Sequence, residues 1–578
     1  MGLRMRTRRA RWLVPLLLVT GLLVSAPVGT AQGAPAAAQA SPRPRFSSAV
    51  AFDVSPAMRD VARQAATAAR RATGNLDRPE RGPASAGRGF SGDAAVQSTA
   101  GRSPASAAIP SPTVNFEGIP AEANVPILGG IPIPPDPVGD VGPNHYVEMV
   151  NTAWAVYSKT GTLLLGPLSL ASIWAGFAVP DCEDNSGDPI VLHDQLANRW
   201  ILTQFTTASF AVPGGSFYNC VAVSTGPDPT GSYYRYAFSS GVNFPDYPKY
   251  GVWPNAYFLT TREFAPEEDF GVFAGIGVYA LERRKMINGN PAARAVSFLI
   301  GPGTGAPAYL TGDGWLPSDL DGSRRPPAGS PNYIMGTQDD EGPYGAPFDA
   351  INVFKMFVSW GPTPTASFSG PATVPVAEFD SDYPCVPPGS RNCIPQPGTS
   401  QRIDILSYRQ RPTWRLAYRN FGTYESLVTS QSVEASPAIA GMRWYELRRP
   451  GDQPVVWQQA TYAPGGGVNR WMGSIAQDKR GNMALGYSVS NGTNVFPGIR
   501  YTGRLRGDPA NTMPQGEAVV INGGGSQTDP AARWGDYTSM NIDPRDDCRF
   551  WYVNQYYDTT SARGWNTRIA AFRMPGCS

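Results

Sequence analysis

Histidine is nearly absent from this sequence of 578 residues, which contains only His145 and His193. Two imidazoles cannot form a three-histidine zinc site, and the chain has no HExxH motif. It also has no GxSxG motif, so a Ser-His-Asp hydrolase has little support. The scarcity of histidine and the lack of these motifs argue against most zinc-dependent and serine-dependent hydrolysis. Charged residues are scarce as well, at 16% of the chain, which argues against a wholly disordered chain.

Long apolar runs are missing beyond the first thirty residues, where no stretch approaches the ~18 consecutive apolar residues of a membrane-spanning helix. Residues 1–31 resemble a secretory signal peptide: five arginines precede an apolar stretch from Trp12 to Val24, and the small residues Gly29 to Ala31 follow. The pair Arg8 and Arg9 leaves twin-arginine export open beside general secretion. We therefore predict a secreted protein without a membrane span.

Large apolar residues are few between residues 32 and 110, a segment rich in Ala, Ser, Pro, Gly and Arg. This composition is typical of a disordered linker or pro-segment, and we predict no folded domain there.

Positive charge is concentrated in the same N-terminal part, where residues 1–110 hold 15 arginines and 5 acidic residues. The remaining chain has 33 basic and 41 acidic residues. Because an acidic domain repels the phosphate backbone, we expect no nucleic-acid partner.

Cysteine is limited to six residues, all beyond residue 110, and no CxxC motif occurs. An even number in an exported chain predicts disulfides, for which fifteen pairings are possible. Proximity in the sequence favours three pairs: Cys182 with Cys220, Cys385 with Cys393, and Cys548 with Cys577.

Glycine and proline are abundant, with 63 and 57 residues, and aromatic residues make up 11% of the chain. This composition disfavours long helices and favours short strands joined by turns. One pattern of alternating strands returns at starts near residues 139, 188, 246, 319, 418, 471 and 534. Such repeats predict an all-β protein, a single β-propeller domain over residues 111–578, with seven blades or six. We expect the segment near Asn115 to Glu117 to supply the last strand and close the ring.

Several runs in the repeats are specific, among them GDPIVLHDQLANRW (187–200), DYPKYGVWP (246–254), IPQPGTSQ (394–401), RWMGSIA (470–476) and RWGDYTSM (533–540). In these runs the sequence resembles a widespread group of uncharacterised secreted bacterial proteins, from about residue 134 to residue 574. The resemblance implies one mature domain and supplies no catalytic residues. Similarity to sialidase-like propellers rests on architecture alone, since the chain lacks a clear S-x-D-x-G-x-T-W box.

Polar residues mark the starts of the repeats, which converge on a central funnel in a propeller. Carboxylates crowded around a funnel could provide the acid and base of glycoside hydrolysis, with cations and aromatic faces to bind the sugar. The candidate catalytic residues are Asp536, Asp188 and Asp246, and the candidate substrate-binding residues are Arg470, Arg533, Lys249, Trp471, Trp534 and Tyr247. The alternative is that each aspartate ties down a turn through its own backbone.

RWGDYTSM is the best single candidate, because Asp536 lies between aromatic residues and Arg533 precedes it by three positions. An ion pair between these two residues that holds adjacent blades is an equally valid interpretation. We predict no organic cofactor. Structural Ca²⁺ could bind the carboxylates of Asp339 to Glu341, or those of Asp543, Asp546 and Asp547, although solvated turns explain both runs too.

Two functions are consistent with these features. The first is a secreted, carbohydrate-active propeller, a glycoside hydrolase that uses the funnel aspartates on extracellular polysaccharide or glycoconjugate. The second is a non-catalytic propeller that binds glycans or a surface partner. We expect a monomer in either case.

Overall fold

The computed structural model of the chain describes residues 42–65, 90–97, 109–212, 214–265, 271–388, 390–405 and 409–578. The predicted signal peptide, residues 1–31, lies outside these ranges. Residues Ser41–Ser578 form one compact unit. Its strands β1 to β30 confirm the prediction of an all-β fold. In chain order they are Arg45–Ser48, Ala51–Val54, Val114–Pro120, Val138–Val141, His145–Val150, Ala153–Ser158, Leu163–Ser169, Ile190–Asp194, Arg199–Phe205, Phe217–Ser224, Tyr233–Gly241, Phe244–Val252, Tyr257–Phe264, Phe273–Leu281, Arg294–Ile300, Leu316–Asp321, Asn332–Gln338, Ala350–Ser359, Thr365–Pro375, Thr413–Asn420, Glu425–Ser436, Ile439–Arg448, Val455–Tyr462, Asn469–Gln477, Met483–Ser490, Gly498–Arg504, Glu517–Ile521, Ser539–Ile542, Arg549–Tyr557 and Trp565–Arg573.

Most strands belong to antiparallel meanders, which we number in chain order. Meander 1 is β4–β7, meander 2 is β8–β11, meander 3 is β12–β15, meander 4 is β16–β19, meander 5 is β20–β23, meander 6 is β24–β27, and meander 7 is β28–β30 with β3. Meanders 4 and 5 share one eight-stranded sheet, because β16 pairs in parallel with β20. The predicted repeat starts lie within these first strands or a few residues before them.

The first strands of the meanders contact one another in a closed cycle. β4 contacts β8, β8 contacts β12, and the contacts continue through β16, β20 and β24 to β28, which contacts β4. Side chains fix this ring: Asp140 accepts a hydrogen bond from the backbone N–H of His193 at 2.7 Å, and Asp319 accepts one from Val252 at 2.9 Å. The start of every meander therefore lies close to the start of its neighbours.

Aromatic side chains fill the spaces between meanders. Tyr501 on β26 stacks on Phe572 on β30 with 3.9 Å between ring centroids, and Tyr146 on β5 stacks on Trp551 on β29 at 5.2 Å. Alternating strands place such residues on the buried faces of the sheets. Burial of these large rings supplies much of the hydrophobic stabilisation.

The predicted ring closure is present in the structure. Strand β3 pairs antiparallel with β30, and Asn115, Phe116 and Glu117 lie opposite Ala570, Ile569 and Arg568. The three disulfides are the ones that proximity favours: Cys182 with Cys220, Cys385 with Cys393, and Cys548 with Cys577. Disulfides persist in oxidising compartments, which agrees with the predicted export.

The N-terminal segment differs from its prediction. Strand β1 pairs with β15 and β2 pairs with β11, so the chain adds a fifth strand to meanders 3 and 2. Asp93 forms an ion pair of 2.8 Å with Arg443, and both side chains are fully buried. The prediction of disorder is therefore wrong for residues 42–65 and 90–97, because exposed sheet edges offer backbone hydrogen bonds that composition does not reveal. We call these two ranges the belt.

Helices are short in the described part of the chain: α1 is Met58–Ala65, α2 is Val125–Leu128, α3 is Arg283–Met286 and α4 is Ala308–Thr311. None of these helices has the length and apolar character needed to cross a membrane.

Candidate functional site

Unusual backbone conformations mark the starts of meanders 1, 2 and 3. Asp136, Asp188 and Tyr247 have φ values of 48°, 46° and 54°, a region that residues other than glycine seldom adopt. A proline follows each of them. In β12 the register also shifts between Asp246 and Lys249, as in a β-bulge. Such local strain and bulges redirect side chains and often occur at functional sites.

These starts bring six residues together, which we call the central cluster: Asp136, Asp188, Tyr247, Lys249, Asp536 and Tyr537. The backbone N–H of Asp536 donates to the carboxylate of Asp136 at 2.6 Å, and the hydroxyl of Tyr537 donates to Asp188 at 3.0 Å. Asn151 donates to Asp136 at 2.6 Å and accepts from the backbone N–H of Asp188 at 2.9 Å. The cluster therefore connects meanders 1, 2, 3 and 7.

Burial and crowding raise the pKa values of two carboxyl groups in the central cluster. The pKa of Asp188 rises to about 7, first because burial disfavours its charged form and then because Asp246 and Asp536 carry like charge. Burial, and then Asp536 and Asp188, raise the pKa of Asp136 well above its usual range. The cluster can therefore hold a proton on a carboxyl group near neutral pH.

Asp536 has a different environment, because Arg533 donates to its carboxylate at 2.9 Å. Arg533 also lies 3.7 Å from Asp404. Arg533 and Asp536 therefore form the ion pair that their spacing in the sequence suggests. Asp188 and Asp536 are both buried, with 8% and 7% exposure, respectively.

Lys249 is fully buried, with 0% exposure, and its ammonium lies between two aromatic rings. The distances from Nζ to the ring centroids of Tyr247 and Tyr537 are 3.1 and 3.4 Å. Among the described residues Nζ has no hydrogen-bond acceptor. Burial lowers the pKa of Lys249 well below its usual range, against the opposing effects of Asp188 and Asp536. A second cation contacts the ring of Tyr247: the guanidinium of Arg411 lies 4.3 Å from its centroid.

Asp246 lies at the edge of the central cluster and belongs to an ionic network. Its carboxylate is 3.7 Å from Arg262, which also lies 3.2 Å from Asp313. Asp313 accepts a hydrogen bond from Tyr344 at 2.5 Å and lies 3.7 Å from Arg409. The side chain of Asp246 is 19% exposed, more than the carboxylates of the cluster.

Three predicted substrate-binding residues have other contacts. Arg470 pairs with Glu517 at 2.7 Å inside meander 6. Trp471 and Trp534 are fully buried and contact each other with 5.4 Å between ring centroids. The two tryptophans offer no exposed face in this structure, and their role in substrate binding stays a prediction. The start of a repeat predicts a funnel position for each Trp, but the large apolar surface of both side chains is buried between meanders.

The two acidic runs considered for Ca²⁺ already have partners within the described part of the chain. Asp543 pairs with Lys159 at 2.6 Å, and Asp547 pairs with Arg419 at 2.7 Å, so these carboxylates are neutralised by cations. Asp546 pairs with Arg573. In the other run, Asp339, Asp340 and Glu341 group with Asp349, their ligand oxygens within 4.8 Å of one another. Asp339 already accepts hydrogen bonds from the backbone N–H groups of Glu341, Gly342 and Ser381.

Three residues of the site escape prediction from the sequence. Asp136 and Tyr537 belong to the central cluster, and Arg411 contacts it through Tyr247. The Asp-Pro dipeptide at 136–137 repeats that at 188–189 and could have identified Asp136. Arg411 has no such signal, because it precedes β20 at a poorly marked repeat.

Comparisons with known proteins identify no family. No family model matches the chain, and no curated protein does. The resemblance to secreted bacterial proteins therefore stays a prediction.

Among solved structures, the α-L-arabinofuranosidase PaAbf62A of Podospora anserina matches with 10% identity and a TM-score of 0.27, over 67% of this chain and 90% of that chain. The sialidase of Trypanosoma rangeli matches with 9% identity and a TM-score of 0.28, over 66% and 54%. The GH93 α-L-arabinofuranosidase of Fusarium graminearum matches with 10% identity and a TM-score of 0.27, over 58% and 98%. TM-scores this low do not establish a shared fold or activity.

Proposed function

We propose that this chain is a secreted, seven-bladed β-propeller that hydrolyses glycosidic bonds at the central cluster. The blade count is supported by the closed cycle of first strands, one for each meander. The activity is supported by the contrast between two carboxyl groups in one cluster. Asp188 has a pKa of about 7, whereas Asp536 is ion-paired with Arg533. Two carboxyl groups in such different environments suit an acid and an ionised partner.

The roles follow from these environments. Asp188 in its protonated form donates its proton to the glycosidic oxygen as the bond to the anomeric carbon breaks. Asp536 acts as the ionised carboxylate, which either takes a proton from the attacking water or attacks the anomeric carbon itself. Asp246 stays at the edge of the site, where its charge keeps the pKa of Asp188 high. The substrate class is extracellular polysaccharide or glycoconjugate.

The second candidate function is binding of glycans without catalysis. The low exposure of Asp188 and Asp536, 8% and 7%, argues against entry of a sugar at these carboxylates and so favours binding at another surface over catalysis here. A carboxylate pair that serves only to tie meanders 1, 2 and 7 together would be equally buried.

Release of reducing sugar across a polysaccharide panel tests the two functions. Asp188→Asn and Asp536→Asn should each lower turnover by ~10²-fold or more while binding of the glycan is retained. The exposed Asp452, whose side chain is 70% exposed, provides the control variant Asp452→Asn, which should match the unmodified protein. Glycan binding without release in the unmodified protein would support the second function and contradict the first.

A further inference from the structure

Lys249 is a charged group of the central cluster that has no role in the proposed reaction. A buried ammonium without a hydrogen-bond acceptor is costly, and folded proteins usually pair such a charge or exclude it. Here the described residues provide no acceptor for Nζ, and the side chain has no exposure. Other contacts within the cluster must therefore offset the free-energy cost of burying this ammonium.

The aromatic rings on either side of Nζ provide such contacts. Tyr247 and Tyr537 come from meanders 3 and 7, and their ring centroids are 5.6 Å apart. The ammonium lies 3.1 and 3.4 Å from them, within the range of strong cation–π attraction. One cation therefore holds two rings that belong to sheets distant in sequence.

Tyr537 transmits this contact to the candidate acid. Its hydroxyl donates to Asp188 at 3.0 Å, and it lies 3.3 Å from the carbonyl of Pro248, the residue before Lys249. If the ring of Tyr537 moves, the hydrogen bond to Asp188 is lost. The position of the Asp188 carboxyl therefore depends on Lys249 through one intervening side chain.

We propose that Lys249 is a positioning residue: it clamps the rings of Tyr247 and Tyr537, and through the Tyr537 hydroxyl it fixes the orientation and proton affinity of Asp188. The inference deepens the proposed function and rests on it for its catalytic consequence. The charged groups that act on Lys249 are Asp136, Asp188 and Asp536, which favour its ammonium form, and Arg411, which opposes it.

The test measures Asp188 directly, without reference to activity. Infrared difference spectra of the full chain, with Asp188→Asn as the subtraction reference, report the protonation of this carboxyl as pH changes. Lys249→Met keeps the apolar stem and removes the charge, and Tyr537→Phe keeps the ring and removes the hydroxyl. Loss of the cation or of the donor should raise the Asp188 midpoint, each by about one pH unit or more.

The double variant separates positioning from a general effect on charge. If Lys249 acts through Tyr537, the shift of Lys249→Met combined with Tyr537→Phe should be smaller than the sum of the two single shifts. In Lys249→Arg the Asp188 midpoint should shift less than in Lys249→Met, because a guanidinium also binds aromatic faces. Lys355→Met is the control for loss of one positive charge, because Lys355 is a half-buried residue of β18 whose ammonium donates to the carbonyl of Gly451 at 3.0 Å, and it should leave the midpoint unchanged.

An unchanged midpoint in folded Lys249→Met would overturn the proposal, as would fully additive shifts. Circular dichroism establishes that each variant is folded, and Lys249→Gln replaces Lys249→Met if the latter does not fold. If the midpoints shift as expected while no glycan is cleaved by any variant, the positioning role stands and the proposed hydrolysis fails. If glycans are cleaved and the midpoints do not shift, the hydrolysis stands and the positioning role fails.

Discussion

At the scale of single residues, the charge state of Asp188 controls the proposed chemistry. Its pKa of about 7 lies far above the ordinary value of 3.8, because burial and neighbouring carboxylates disfavour the anion. An acid must be protonated to donate. Turnover should therefore be high below pH 7 and fall as pH rises through about 7.

This fall in turnover is measured as the pH dependence of turnover in the unmodified protein and in Lys249→Met. Removal of the nearby cation should move the fall in turnover to higher pH, since a cation favours the anionic form of Asp188. A turnover that rises through pH 7 would show that Asp188 is not the acid.

The same carboxyl affects stability with a definite sign. Between pH 3.8 and about 7 the folded protein holds a proton on Asp188 that the unfolded chain has released. The free energy of unfolding contributed by this group therefore falls as pH rises through that window and levels off above it. Urea denaturation between pH 5 and 8 should show a smaller loss for Asp188→Asn than for the unmodified protein. Equal losses would contradict the raised pKa.

Asp536 has a structural contact besides its proposed role. In Asp536→Asn the shape is kept, but Arg533 loses the charge of a carboxylate at 2.9 Å, while Asp404 lies farther away at 3.7 Å. We expect the free energy of unfolding to fall by about 1 to 3 kcal/mol, because both partners are buried. Thermal melting measured on the preparation used for activity separates the two effects. Unchanged values for both would remove Asp536 from the site.

At the scale of elements, the belt covers edges that would otherwise be exposed. Strands β1 and β2 pair with β15 and β11, the last strands of meanders 3 and 2. A chain that starts at residue 110 should therefore unfold at lower urea and aggregate more readily than one that starts at residue 42. Light scattering and urea midpoints compare the two chains. Equal behaviour would show that the belt is dispensable, as its composition predicts.

A single ion pair tests the belt more finely. Asp53 on β2 accepts two hydrogen bonds from Arg235, at 2.6 and 2.5 Å, and the side chain of Arg235 is only 4% exposed. Asp53→Ala should lower the free energy of unfolding by about 1 to 3 kcal/mol. This loss is smaller than that expected for a fully buried pair, because Asp53 is partly exposed. Asp60→Ala removes an exposed pair with Arg63 and should cost at most about 1 kcal/mol.

At the scale of the whole molecule, closure of the ring depends on distant parts of the chain. The pairing of β3 with β30 joins residues 114–120 to residues 565–573, and the disulfide from Cys548 to Cys577 fastens the same meander. Because this disulfide spans 29 residues, its loss should lower the free energy of unfolding by about 3.5 kcal/mol. Loss of the bond from Cys385 to Cys393, which spans 8 residues, should cost about 2.5 kcal/mol.

Urea unfolding of the two Cys→Ser double variants measures both values, and peptide mapping without reduction verifies the pairings. A larger loss for the short loop than for the long one would show that native-state strain outweighs loop entropy. Free thiols at Cys548 and Cys577 would remove this fastening from the closure.

The all-β class, the repeat starts and the closing strand follow from the sequence, because alternation and turn residues are local properties. Proximity in the sequence favours the observed disulfides among fifteen possible pairings. The spacing of three residues between Arg533 and Asp536 makes their ion pair one of two interpretations, and the structure contains this pair. Which of these starts share a site follows only from the three-dimensional arrangement of the strands. Asp136, Asp188, Lys249 and Tyr537 meet because the first strands form a ring, a non-local arrangement that no spacing encodes. Likewise only the structure decided that Trp471 and Trp534 are buried and that the belt is ordered, since burial and edge pairing depend on neighbours far away in the chain.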